Sequence, residues 1–63
     1  MNAPADIRHQ AMIAARYLEH LTRSLRQQER RAREQGDRDD AHSAGTWAER
    51  AQELRRYIAE VQL

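Results

Sequence analysis

Apolar side chains recur through the first half of the chain at Ile7, Ala11, Ala14, Leu18, Leu21 and Leu25, and the line continues through Gln28 to Ala32. The steps alternate four and three residues. That spacing puts the set on one side of an α-helix and predicts a seam that packs on a second helix. The line stops at Gly36, a residue suited to the left-handed turn that ends a helix. Pro4 fits a first helical turn, and Asp6 lies near the positive end of the helix dipole. Helix one is predicted over about residues 5–35, about 45 Å at ~1.5 Å per residue.

The second half repeats the scheme with Ala44, Trp47, Ala51, Leu54, Ile58 and Val61, flanked by Ala41, Ala48 and Tyr57. Two starts fit this helix. Asp37 can cap it directly after Gly36, or Thr46 to Glu49 ("TWAE") can form a capping box preceded by Gly45. Ala41 and Ala44 carry the apolar line upstream of Gly45, which favours the earlier start. We expect a turn at about residues 36–40 and helix two over about 41–62. Nothing alternates with period two, so no strand is predicted.

Together these elements predict an all-α antiparallel two-helix hairpin, residues 1–63 forming one domain. Leu25 would lie opposite Trp47 and Ala51, Leu18 opposite Leu54, and Ala14 opposite Ile58, large against small. Met12, Ile13, Tyr17, Tyr57 and Leu63 gather near the end carrying both termini, mostly off the seam. Met12, Ile13, Tyr17, Tyr57 and Ile58 are the candidate contacts with another chain. Two hairpins joined there would make a four-helix bundle as a dimer.

Length sharpens that expectation. The chain has 63 residues and no cysteine. A chain so short buries only ~60% of the surface its unfolded form exposes. Small scaffolds therefore lean on a disulfide, a metal or a second subunit. Without cysteine, disulfides and thiolate metal sites are closed, leaving a homodimer or another protein as the expected support. No apolar run approaches the ~20 residues of a membrane helix, and "MNAPADIRHQ" is too polar for a secretory signal. A soluble, cytoplasmic protein without membrane association is expected.

Candidate chemistry is thin. His9, His20 and His42 are scattered, and His9 and His20 stand about 16 Å apart along helix one, too far to share a metal. Ser24 and Ser43 have no legible triad partners. Asp39 and Asp40 sit in a polar turn with nothing to raise a carboxyl pKa. No enzyme, cofactor, metal site or small-molecule substrate is expected.

Charge adds one feature. The formal net charge is +1, and every basic residue is arginine. Arg16, Arg23 and Arg30 recur every seven residues opposite the predicted seam, with Arg26 and Arg33 beside them. The ridge is about 25 Å long, enough to meet several phosphates or an acidic partner. Glu19 and Glu29, each four residues before an arginine, offer competing ion pairs within the helix.

Ala15-Arg16-Tyr17-Leu18 resembles the Ala-Arg-aromatic-aliphatic segment on the first helix of the Rop family of plasmid RNA-binding proteins. That resemblance implies a dimeric four-helix bundle with Tyr17 facing RNA. "ERAQELRRYIAEV", Glu49 to Val61, is similar in texture to the second helix of the small hairpin co-chaperones of type III secretion needle subunits. The leading expectation is a small protein-binding protein: an adaptor, chaperone-like stabiliser or phage- or plasmid-type inhibitor. The alternative is a Rop-like RNA-binding regulator using the arginine ridge.

Overall fold

The computed structural model describes residues 5–62, with side chains to Val61. The expectations for Pro4 and Leu63 fall outside the described residues. Two helices, α1 (Ala5–Glu34) and α2 (Arg38–Gln62), pack side by side as an antiparallel hairpin of 51 × 14 × 11 Å. Among the described residues there is no strand. No helix in them is long and apolar enough to cross a membrane.

The turn is tighter than residues 36–40, and α2 begins at Arg38 rather than 41. Gly36 adopts φ 75°, the left-handed conformation that costs glycine little. Its N–H donates to the Arg33 carbonyl at 3.1 Å, and the Asp37 N–H donates to the Ala32 carbonyl at 2.8 Å. Those two bonds are the Schellman arrangement, which satisfies carbonyls a helix end otherwise leaves open. Asp37 then caps α2. Its carboxylate accepts the Asp40 N–H at 3.1 Å, and its carbonyl accepts the Ala41 N–H at 3.0 Å. One residue closes α1 and the next opens α2. Thr46 caps nothing: its hydroxyl donates back to the His42 carbonyl at 3.0 Å, inside the helix.

The interhelical seam on α2 is not the line expected from the bulky residues. Ala41, Ala44, Ala48 and Ala51 are buried, while Trp47 is 56% exposed and Leu54 50%. Val61 is exposed as well. On α1 Ala11, Ala15, Leu18, Thr22, Leu25, Glu29 and Ala32 are covered or half-covered in steps of four and three, with Ala14, Glu19 and Arg26 half-covered on either side of that line. Thr22 and Glu29 thus take places expected for Leu21 and Gln28, both of which are exposed. The physical reason is bulk. Alanines without long side chains let two helix axes approach closely, and leucines from α1 then fill the remaining space. A seam through Trp47 and Leu54 would hold the axes further apart.

Gly45 is buried beneath the Glu29 side chain. A Cβ there would come 2.5 Å from Oε2 of Glu29. The Glu29 side chain, 14% exposed, lies across the Gly45 backbone and accepts from Arg26 at 3.1 Å and Arg33 at 3.1 Å. Polar pairing in place of apolar packing at this level is compatible with a rim position, where the arginines keep their heads in water.

Candidate functional site

The inward rotation of the alanines gives the hairpin two unlike sides. On one side Leu18, Leu21, Leu25, Trp47, Ala51 and Leu54 line an open apolar groove between the helices. Trp47 is held at its edge by Arg50, whose guanidinium sits 5.2 Å from the ring centroid. That distance is within cation–π range, a contact worth about 0.5–1 kcal/mol at an exposed site, and much of the indole surface stays open. Helical spacing carries the groove onward. Ile58 and Val61 follow Leu54 at four and seven residues, and Ile7 and Ala14 precede Leu21 at fourteen and seven. The result is a strip about 27 Å long, counting ~1.5 Å per residue from Ile7 to Leu25. It includes Ile7, Leu21, Trp47, Leu54 and Val61, all exposed. A contiguous apolar strip of this kind is what binding surfaces look like, whereas isolated exposed leucines are ordinary.

The opposite side is polar. Glu19 pairs with Arg23 on its own helix at 3.2 Å and with Arg55 across the seam at 3.7 Å. Next to it lies the Glu29 cluster, and Arg33, Arg38, His42 and Glu49 line an open recess near the turn. No group of three potential metal ligands comes together among the described residues.

The five candidate contact residues do not form one patch. Ile58 and Tyr17 border the apolar groove, Ile58 half-covered and Tyr17 exposed. Tyr57 stands seven residues after Arg50 and shares its outward direction. Ile13 falls in line with His20 and Gln27 on the outer side of α1. Met12 falls in line with Glu19 and Arg26, on the polar side. Leu21, Trp47, Leu54 and Val61, assigned from sequence to the internal seam, are the large side chains of the open face. The signal was present as a second line in α2, Ala41, Ala44, Ala48 and Ala51, whose steps of three, four and three are as regular as those of the bulky line.

The five ridge arginines divide into two sets. Arg26 and Arg33 are both drawn to Glu29 on the polar side. Arg16, Arg23 and Arg30 make the outward line, and of these Arg23 is paired with Glu19. Compared with family models, with curated proteins and with solved structures, the chain matches none.

Proposed function

We propose that this chain works by binding protein, with the groove lined by Leu21, Leu25, Trp47 and Leu54 as its contact surface, and that two hairpins join there as a four-helix bundle. The observation carrying this reading is the open apolar face along a hairpin whose own core is nearly all alanine. Among the described residues Leu18 is the one large side chain that is buried. Burial is worth ~25 cal/mol per Å² of apolar surface, so an alanine core contributes little and the bulky side chains contribute only once covered. The role is that of an adaptor, a stabiliser or an inhibitor rather than a catalyst.

Two variants test it. Leu54→Asp puts a charge in the groove and is expected to abolish association, read as mass in solution by light scattering. Met12→Asp changes an equally exposed apolar residue on the polar side and is expected to leave the mass unchanged. Equal effects from the two would refute the assignment.

A second reading is supported by the outward line of Arg16, Arg23 and Arg30. Among these, the described structure pairs Arg23 alone with a carboxylate, leaving a strip suited to phosphate. RNA binding by this strip would show a log–log salt slope of about −0.7 per phosphate contacted for a single strand. Arg16→Gln with Arg30→Gln is expected to reduce that slope by about 1.4. No binding of RNA at low salt removes this reading.

A further inference from the structure

The observed seam and the bulky apolar line share one column of positions. Leu18, Leu25, Ala32, Ala44 and Ala51 belong to both. The second column differs. In the structure it is Ala15, Thr22 and Glu29 on α1 with Ala41 and Ala48 on α2. Leu21, Gln28 and Trp47 each immediately precede one of these residues, and Leu54 follows Trp47 at seven. One residue is about 100° around a helix, and the shared column lies between the two alternatives. A turn of each helix by about 50° would therefore exchange one column for the other.

Two general tendencies oppose each other over that turn. Alanines let the axes approach closely. Covering Trp47 and Leu54, both exposed, would remove more apolar surface from water.

One specific contact separates the two rotations. The Glu29 carboxylate lies over the Gly45 backbone, where a Cβ would come 2.5 Å from Oε2. Arg26 donates to Oε1 and Arg33 to Oε2, each at 3.1 Å. Gly45 is not left-handed, so its backbone has no need of glycine. Inside a helix glycine costs stability. What the missing Cβ supplies is the seat for Glu29. Turning Leu21 and Trp47 inward would carry Glu29 and Gly45 outward on the other side and part them. Glu19 and Arg55 also tie the helices on that side, at 3.7 Å, but both are substantially exposed and water screens the pair.

We infer that Glu29, seated on Gly45 and clamped by Arg26 and Arg33, is a positioning residue for the apolar face. It holds the helices in the rotation that keeps Trp47 and Leu54 outward. Without it the helices turn those side chains into the seam, and the chain closes its own groove. The consequence for binding rests on the proposal that the groove is the contact surface; the rotation does not.

The single tryptophan reads the rotation directly. Glu29→Ala removes the carboxylate. Gly45→Ala fills its seat with a residue that favours the helix, so loss of folding is not its expected effect. Glu53→Ala removes an exposed carboxylate elsewhere on α2 and serves as control. Each is compared with the unaltered chain after dilution to a mass of 7.4 kDa, with helicity followed by circular dichroism. In Glu29→Ala and Gly45→Ala the Trp47 emission is expected to move to shorter wavelength and its quenching by acrylamide to fall, while helicity is kept. Unfolding would move both the other way. The control is expected to match the unaltered chain. Trp47 as open to quencher in both variants as in the unaltered chain would overturn the inference, and so would an equal shift in the control. At higher concentration the two variants are expected to associate more weakly. A covered Trp47 with undiminished association would count against the groove as contact surface and leave the role of Glu29 standing.

Discussion

At the scale of single residues, the contact between Glu29 and Gly45 sets two effects of similar size against each other. Glycine inside a helix costs about 1 kcal/mol relative to alanine. An alanine at 45 would displace the Glu29 carboxylate from Arg26 and Arg33, pairs of a type worth ~0.2–0.5 kcal/mol each. Gly45→Ala is therefore expected to change stability by less than about 0.5 kcal/mol, because the two terms offset. In a Glu29→Ala background the same substitution should stabilise by about 1 kcal/mol. Urea unfolding at one fixed protein concentration reads the difference, and equal gains in both backgrounds would show that Glu29 does not constrain this position. The turn is a simpler case. A Cβ at Gly36 would meet nothing within 4 Å, so the cost of Gly36→Ala is the left-handed backbone alone, about 1 kcal/mol. Asp37→Ala removes the cap of α2 and is expected to cost a further ~1 kcal/mol, visible as a lower midpoint in the same titration.

At the scale of elements, the sequence was informative about helix existence and less so about rotation. Gly36 followed by Asp37 carries both a helix stop and a helix start, and both are used as their chemistry suggests. The first residues of α2 were harder to read, since Arg38, Asp39 and Asp40 have no apolar period and are held by the cap rather than by packing. Rotation failed for a specific reason. α2 carries two interleaved apolar lines, alanines and bulky residues, and hydrophobicity alone ranks Trp47 and Leu54 above Ala41 and Ala48. Interaxial distance reverses that ranking, and distance is a property of the pair of helices that neither sequence line states. The open face is illegible for the same reason, because Leu21, Trp47 and Leu54 rank as core by hydrophobicity and lie outside the seam. Ala48, at 0% exposure, tests the tighter seam. Ala48→Leu adds bulk where the helices touch and is expected to cost about 1–3 kcal/mol, while an increase in apolar content at a loosely packed site would stabilise. Thermal unfolding followed by circular dichroism separates the two outcomes.

At the scale of the whole molecule, the two sides of the hairpin are unequal. One side is covered by charged pairs in water, and such pairs contribute little, ~0–1 kcal/mol each at a surface. The other side holds most of the bulky apolar residues, uncovered. The alanine seam fixes the geometry of the pair of helices, and the uncovered face supplies the larger hydrophobic contribution when a partner is present. The proposed joining of two hairpins would couple folding to association, and apparent stability is then expected to rise with protein concentration. Trp47, the chain's single tryptophan, lies within the face and reports its covering.

The most direct measurement is sedimentation equilibrium on the unaltered chain across a hundredfold range of concentration, with Trp47 emission recorded on the same samples. The expected result is a mass approaching twice 7.4 kDa at the upper end, with the emission shifting to shorter wavelength as the mass rises. A mass of 7.4 kDa with full helicity at every concentration, the Trp47 emission unchanged, would contradict the claim that this face is where two hairpins join.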